Sequence, residues 1–96
     1  MGILDHFRRK KVDGEAERRR TLLSTGRITD GLIFDIVRDE ETGAIHVFYN
    51  YTLNGVDYES SQTLDAAQLA RQNDYYPGAH VTIRFNPHQP ANSIVV

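Results

Sequence analysis

The sequence predicts a small, mainly β domain: a small antiparallel five-stranded barrel, OB-like or SH3-like, with one short capping helix and an N-terminal helical arm. Three observations support this fold class. With 96 residues and no cysteine, the chain has room for one core, which folds without disulfides or thiolate metal sites. From Arg27 onward, apolar residues recur at every second position, which is typical of strands with one buried face. No long crossover separates these strands, and curling them into a barrel removes exposed edges.

The chain divides into a charged helical N-terminal arm, residues 1–23, and a β-barrel domain, residues 24–96. Two helical stretches are predicted in the arm, 2–11 and 15–23, with a turn at Asp13-Gly14 between them. Residues 1–20 contain seven Lys or Arg and four acidic residues, whereas residues 21–96 contain four Lys or Arg and nine acidic residues. A basic arm therefore precedes an acidic barrel.

The first predicted strand carries apolar residues on both faces, with Leu32, Phe34 and Ile36 on one and Ile33 and Val37 on the other. This pattern indicates a central or strongly curved strand. Gly31 marks a bulge or a bend early in the strand, because a residue without a side chain weakens a strand interior.

The next two strands form the best-defined hairpin of the sequence. The strand 45–53 alternates apolar and polar residues and ends at Asn54-Gly55, a strong signal for a two-residue hairpin turn. This turn pairs Leu53 with Val56 and Tyr51 with Tyr58, so the apolar residues of both strands share one face. Tyr49, Tyr51 and Tyr58 lie on that face and are therefore predicted as core residues.

The remaining elements complete the barrel. Thr63 is predicted to cap a short helix, Leu64 to Gln72, which plugs an open end of the barrel. A turn then leads into the strand His80 to Asn86, with Val81, Ile83 and Phe85 facing inward. The last strand is predicted at residues 93–96.

Several of these segments resemble a large bacterial family of domains of unknown function. The resemblance lies in the run from Gly78 to Pro90 followed by Ser93, in which a glycine-led strand ends in an aromatic residue, Asn or Asp, and proline. The segment 22–26, Gly31, and the aromatic hairpin with Tyr49, Tyr51, Gly55 and Tyr58 resemble it as well. The resemblance covers roughly residues 20–96. Phe85 and Asn86 replace the Tyr and Asp that are usual in the family.

The resemblance implies a β module that binds or scaffolds another molecule, and it supplies no catalytic residues. Members of such families often carry transmembrane helices beside the β domain. The residues of this chain contain no run of apolar residues long enough to span a bilayer.

The pattern of reactive residues predicts a protein that is not an enzyme, with no metal site and no cofactor. The four histidines lack the spacing of a metal site. The sequence also lacks a nucleophile elbow, a phosphate-binding glycine loop and a cysteine nucleophile. Outward-facing acids such as Asp35, Asp57 and Glu59 are better explained as solvated strand residues than as an acid-base pair.

The aromatic residues leave one alternative function open, weak binding of single-stranded nucleic acid by an OB-like barrel. Tyr75 and Tyr76 precede a turn and are candidates for exposed contacts, and Arg84 lies on the outer face of its strand. The acidic charge of the barrel opposes this function, because a polyanion is bound mainly through its phosphates.

The N-terminal arm supports two further readings. In one, its apolar residues enter a membrane interface while its basic residues meet anionic headgroups. In the other, the same residues pack on a partner protein or on a second copy of the chain. The residues concerned are Ile3, Leu4, Phe7, Arg8, Arg9, Lys10 and Lys11.

The sequence as a whole therefore predicts a noncatalytic interaction or scaffold module. A protein partner or self-association is expected, an anionic membrane surface is the next possibility, and no small-molecule substrate is identified. The expected location is the cytoplasm, either free or peripheral at the inner membrane face.

Overall fold

The computed structural model describes residues 15–96, and the predicted stretch 2–11 lies outside them. Residues 15–25 form a helix, α1. Five strands follow, namely β1 (Arg27–Arg38), β2 (Ile45–Leu53), β3 (Val56–Thr63), β4 (His80–Asn86) and β5 (Gln89–Val95). A short helix, α2 (Ala66–Leu69), and a 3-10 turn (Gln72–Asp74) connect β3 to β4.

The strands form one antiparallel sheet in the order β3-β2-β1-β4-β5, curled into a nearly closed barrel. This confirms the predicted fold class. β1 is the central strand because its first half pairs with β4 and its second half with β2. A strand shared in this way must bend, which lets a small sheet curl toward closure.

The hairpin of β2 and β3 has the predicted register. Leu53 pairs with Val56 and Tyr51 with Tyr58, and the turn residues Asn54 and Gly55 both adopt positive φ, 52° and 81°. These values suit the turn type whose twist matches that of the flanking strands.

Of the two roles predicted for Gly31, a bulge or a bend, the bulge is wrong. The bulge lies between Ile33 and Asp35, where Phe34 is the additional residue. At Gly31 a Cβ atom would lie 2.6 Å from the Cγ1 atom of Ile83 and 3.0 Å from the backbone oxygen of Asn50. Glycine is therefore needed there for close packing in the bend.

The capping helix is shorter than predicted and starts later. Thr63 remains in β3 opposite His46, and the N–H of Leu64 donates to the backbone oxygen of Ile45 at 2.9 Å. Asp65 replaces Thr63 as the cap, and it exchanges two hydrogen bonds with Gln68 in a capping box. The helix therefore starts at Ala66, two residues after the predicted Leu64.

The last two strands form a hairpin. β4 has the predicted bounds, and its inward residues Val81, Ile83 and Phe85 are buried. β5 begins at Gln89 rather than at the predicted Ser93, because Asn86 pairs directly with Gln89. Pro90 is tolerated in β5 because this strand lies at an edge of the sheet.

The core fills the interior of the barrel. It is built mainly from inward-facing aliphatic residues and three tyrosines. Its buried members are Ile33, Ile45, Val47, Tyr49, Tyr51, Leu64, Tyr75, Ala79, Val81, Ile83 and Val95.

Candidate interaction surface

Helix α1 lies across one part of the outer surface of the barrel and is held there by two arginines. A terminal nitrogen of Arg18 donates to the side-chain oxygen of Asn92 at 2.7 Å and to the backbone oxygen of Ser93 at 3.1 Å. Arg19 forms an ion pair with Asp65 at 2.7 Å. The helix is therefore attached to β5 on one side and to the start of α2 on the other.

The C-terminal end of α1 is fixed to the neighbouring strand β4. The N–H of Gly26 donates to the backbone oxygen of Leu22 at 2.9 Å, which closes the last helical turn. The side chain of Arg84 donates to the backbone oxygen of Gly26 at 3.1 Å. The end of the helix thus receives a positive charge, which stabilises the negative end of its dipole.

This placement of α1 explains two buried residues outside the barrel core. Ile94 pairs with Arg84 and faces away from the interior, yet it is only 1% exposed. Leu22 on α1 is 3% exposed. Arg18 of α1 bonds to the backbone of Ser93, the neighbour of Ile94, so the helix covers the outer face of β5 there. We call this part of the outer surface, β5 and the Arg84 end of β4 beside α1, the covered half.

Beneath α1, side-chain amides close the seam between β3 and β5. Gln62 on β3 accepts a hydrogen bond from the N–H of Val95 at 2.7 Å and donates to its backbone oxygen at 3.1 Å. Gln68, which is 2% exposed, donates to the same oxygen at 2.9 Å. The two glutamines replace the backbone ladder that would otherwise close the barrel, and they satisfy edge groups of β5.

The opposite part of the outer surface has no helix over it among the described residues. It contains a phenylalanine pair, Phe34 from the β1 bulge and Phe48 from β2, with ring centroids 6.3 Å apart. Phe34 is 44% exposed and Val37 is 47% exposed, and Leu32 lies on the same face because it pairs with Asn50. We call the surface formed by Leu32, Phe34, Val37 and Phe48 the aromatic face.

Acidic residues of β1 and β3 lie beside the aromatic face. Asp35 pairs directly with Phe48, and Glu59 pairs with Asn50 beside Leu32. Asp30 lies on the same outer face, toward β4. The sequence has no Lys or Arg from residue 39 to residue 70, which includes all of β2 and β3. These three acids, Asp30, Asp35 and Glu59, form an acidic rim beside exposed aromatic rings.

A groove connects the start of α1 to the aromatic face. It has a volume of about 620 Å³. Its lining residues are Glu15, Ala16, Arg18 and Arg19 of α1, His46 and Phe48 of β2, and Ser61, Gln62 and Thr63 of β3. The groove therefore has two arginines on the side of α1.

The residues predicted as contacts from the sequence have mixed outcomes. The prediction that Tyr75 is an exposed contact is wrong, because its side chain is 5% exposed and belongs to the core. Just after the turn that follows Tyr75, the backbone oxygen of Ala79 accepts a hydrogen bond from the N–H of Ile33 in β1. This bond attaches the turn to the central strand. Tyr76 is 56% exposed, and Arg84 is half-buried against the end of α1. Residues 3–11 lie outside the described residues.

The tyrosines of the hairpin are core residues, as predicted for Tyr49 and Tyr51. Tyr49 shares a hydrogen bond of 2.8 Å with the hydroxyl of Ser93, and the hydroxyl of Tyr51 donates to the backbone oxygen of Pro90. Tyr58 stacks on Tyr51 and is half-buried. Burial raises the pKa of Tyr51 above its ordinary value.

The arrangement of the described His, Asp and Glu residues bears on metal binding. Within residues 15–96, no group of three or more His, Asp or Glu is arranged to hold a metal ion. His80 and Asp30 form a pair at 3.1 Å, but both side chains are 74% exposed. This pair is therefore a solvated surface contact.

Comparison with known proteins assigns the family. The model of a family of domains of unknown function, DUF3592, matches residues 24–96, and the chain therefore belongs to this family. No curated protein matches the chain, and no solved structure matches it. In the part of the chain that the structure describes, no helix has the length and apolar character needed to cross a membrane.

Proposed function

We propose that this DUF3592 domain is a noncatalytic protein-binding module of the cell interior, and that its aromatic face binds a polypeptide segment with both apolar and basic residues. The observation that carries the proposal is the exposed Phe34 beside the half-buried Phe48, next to Asp30, Asp35 and Glu59, with no Lys or Arg on β2 or β3. Exposed aromatic residues mark interaction sites when they form a contiguous patch.

The chemistry of the rim selects the kind of partner. Apolar side chains of a partner would cover Phe34 and Phe48, and its Lys or Arg residues would meet Asp35 and Glu59. Charge complementarity of this kind contributes mainly to specificity and to the rate of association. Two copies that met face to face would place the same acids against each other, so simple pairing of this surface with itself is disfavoured.

The same charges oppose the two other expected ligands. A nucleic acid or an anionic lipid surface needs basic groups where it binds, and the aromatic face presents carboxylates. Arg84, the basic residue expected to assist nucleic-acid binding, donates to the end of α1 instead. A nucleic acid or an anionic membrane would therefore have to bind at a different surface of the domain.

A model peptide tests the proposal directly. A labelled synthetic peptide of leucine, phenylalanine, arginine and lysine is titrated with the full chain, and binding is followed by fluorescence anisotropy. Phe34→Ser is expected to weaken binding about tenfold, since central aromatic residues dominate interfaces. Val56→Ser is the matched control, because Val56 is 51% exposed at the distant hairpin tip.

Competing ligands complete the experiment. A peptide with glutamate in place of arginine and lysine should not bind, because the rim would repel it. Equal binding of the basic peptide to wild type and Phe34→Ser would contradict the proposal. Tighter binding to oligo-dT or to anionic vesicles than to the basic peptide would contradict it as well.

A further inference from the structure

We infer that the outer edge of β3 is a second binding site, at which an extended polypeptide with alternating basic and apolar residues adds to the sheet as a further strand. The site lies along residues 57–61 of β3. It goes beyond the proposed function, because it offers backbone groups to a partner, whereas the aromatic face offers rings.

The two edge strands of the sheet, β3 and β5, differ in how their edges are protected. β5 carries Pro90, and side chains of α1, β3 and α2 bond to the backbone of Ser93 and Val95. Prolines, bulges and covering elements are the usual means by which proteins block a sheet edge. β3 has no proline, and it pairs with β2 in one unbroken register without a bulge. β3 therefore has the open edge.

Alternate residues of β3 present backbone groups on this edge. The residues that flank a two-residue hairpin turn form a hydrogen-bonded pair, so Val56 and every second residue after it bond to β2. Leu64 continues this series, since its N–H donates to the backbone oxygen of Ile45 at 2.9 Å. The residues between them direct their N–H and C=O groups away from β2, and within residues 15–96 no strand pairs with that side. These residues are Asp57, Glu59 and Ser61.

The seam between β3 and β5 is not a backbone ladder. Gln62 joins the two strands at one end through its side chain. Nearer the hairpin tip, the hydroxyl of Tyr51 on β2 donates to the backbone oxygen of Pro90. Tyr58 of β3 stacks on Tyr51 with ring centroids 5.4 Å apart and is only half-buried. Apolar side chains on the inner face of an added strand would cover Tyr58.

The outer face of the same edge selects basic residues. Asp57 and Glu59 alternate with the inward Tyr58, so both lie on the outer face, and both are exposed. Opposite charges in directly opposed strand positions are stabilising. A strand with Lys or Arg at alternate positions and apolar residues between them therefore matches both faces of the edge.

The same acids disfavour a second copy of the chain as the occupant. If two β3 edges paired antiparallel about the middle of residues 57–61, the two copies of Glu59 would lie opposite each other. Like charges in that position are destabilising, and charged edge residues are a common protection against self-association. The edge thus discriminates against its own copy and in favour of a basic strand.

Binding of a model strand to the full chain tests the inference. The probe is a short acetylated peptide of alternating lysine and valine, and amide hydrogen exchange is followed by NMR. The amides of Asp57, Glu59 and Ser61 should exchange rapidly in the free protein and slowly in the complex. The amides of Tyr58 and Ser60 bond to β2 and should be protected in both states. Slow exchange of the first group in the free protein, or unchanged exchange on saturation with peptide, would overturn the inference.

N-methylated peptides distinguish strand addition from other contacts. A strand bonds to one neighbour through alternate N–H groups only. In antiparallel addition the lysines lie opposite Asp57 and Glu59 in hydrogen-bonded pairs, so methylation of the lysine N–H groups should abolish binding and methylation of the valine N–H groups should not. The reverse result would support parallel addition at the same edge. Equal effects of the two methylation patterns would overturn the inference.

A matched pair of variants separates the backbone edge from its charge. Glu59→Pro removes an outward N–H and places a ring on the edge, and it is tolerated because that N–H does not bond to β2. It should weaken peptide binding at least about tenfold, whereas Glu59→Gln keeps the N–H and should weaken binding at most about fivefold. Urea unfolding verifies that both variants are folded. Unchanged binding in Glu59→Pro would overturn the inference.

Sedimentation of the full chain tests the alternative occupant. The wild type is expected to show no dimer that Glu59→Pro dissociates. Such a dimer would overturn the inference, because a second copy of the chain would then occupy the edge.

The failures of the two proposals are distinguishable. Phe34→Ser should leave binding of the lysine-valine peptide unchanged. If it weakens that binding as much as Glu59→Pro does, the peptide binds the aromatic face and the inference is wrong. If exchange and methylation give the expected results but Phe34→Ser has no effect on the basic peptide of leucine, phenylalanine, arginine and lysine, the inference stands and the proposed function is wrong.

Discussion

The covered half and the aromatic face are two parts of the outer surface of one sheet, and their apolar residues have opposite environments. On the covered half, Leu22 and Ile94 are nearly inaccessible to solvent, whereas on the aromatic face Phe34 and Val37 are almost half exposed. The two parts also differ in polar contacts. Arg18, Arg19 and the seam glutamines form a connected set of hydrogen bonds around α1.

This difference indicates how a small barrel divides its surface between stability and binding. A helix stays on a sheet when apolar burial is combined with satisfied polar groups around it. The covered half has both, so substitutions there should affect the free energy of unfolding. The aromatic face has exposed apolar residues without such a network in the described structure, so substitutions there should affect binding more than stability.

The largest expected effect on stability is at the contact between α1 and the sheet. Leu22→Ala removes a buried side chain and should lower the free energy of unfolding by about 3 kcal/mol, as large-to-small substitutions in buried sites do. Leu23→Ala is the matched control, because the adjacent Leu23 is 43% exposed, and it should cost less than about 0.5 kcal/mol. Urea unfolding measures the free energy of unfolding of both variants. Equal losses in the two variants would contradict the packing of α1 against the sheet through Leu22.

The next effect concerns the seam. Gln68→Ala leaves the backbone oxygen of Val95 and the side chain of Arg19 with fewer partners, and it should cost about 2 kcal/mol, as for other buried hydrogen-bonding groups. Gln72→Ala at an exposed position is the control and should be nearly neutral. Amide hydrogen exchange should also speed up at Val95 in Gln68→Ala, and unchanged exchange there would contradict the proposed closure.

A smaller effect on the free energy of unfolding is expected at Tyr51, in the interior of the barrel. Tyr51 on β2 donates to Pro90 on β5, and Tyr51→Phe should cost about 1 kcal/mol at neutral pH. Since the folded state raises the pKa of Tyr51 above 10.0, its contribution is complete below pH 10 and is lost as pH rises further. The free energy of unfolding should therefore fall above pH 10 in wild type and fall less in Tyr51→Phe. Tyr76→Phe, at an exposed site, should behave as wild type.

The smallest effect on stability is expected at the aromatic face. Phe34→Ser should change the free energy of unfolding by less than about 1 kcal/mol, because Phe34 is 44% exposed and a cross-strand aromatic contact contributes little to folding. The buried Phe85 provides the counterpart, and Phe85→Ser should cost about 3 kcal/mol or more. If Phe34→Ser destabilises the protein as strongly as Phe85→Ser, the aromatic face is a structural surface and its proposed binding role is wrong.

The sequence predicted those features that depend on neighbouring residues. The Asn54-Gly55 turn and the alternation on either side of it gave the register of β2 and β3 correctly. The strand β4 and the buried Tyr49 and Tyr51 were predicted by the same alternation. The family resemblance was also correct at the level of a domain of unknown function, and the matched range begins at residue 24.

The predictions failed where distant segments compete. Thr63 is a suitable helix cap in isolation, but pairing with His46 keeps it in the sheet. Tyr75 precedes a turn and was expected at the surface, but its side chain is buried in the core. The aromatic face was missed because Phe34 lies at a bulge, where the alternation of inward and outward residues changes phase. The outward position of Phe48 in an otherwise amphipathic strand was the signal that could have identified it.

The sequence by itself determined the strand periods, the hairpin register, the basic N-terminal segment and the acidic barrel, because each depends on local patterning or on composition. The tertiary structure alone decided which half of the sheet α1 covers, how Gln62 and Gln68 close the seam, and which aromatic residues remain exposed. These features depend on contacts between residues far apart in the chain, and several local patterns are compatible with each of them. Closure of the barrel selects one arrangement, because it satisfies the edge groups of β5 and buries Leu22 and Ile94 together.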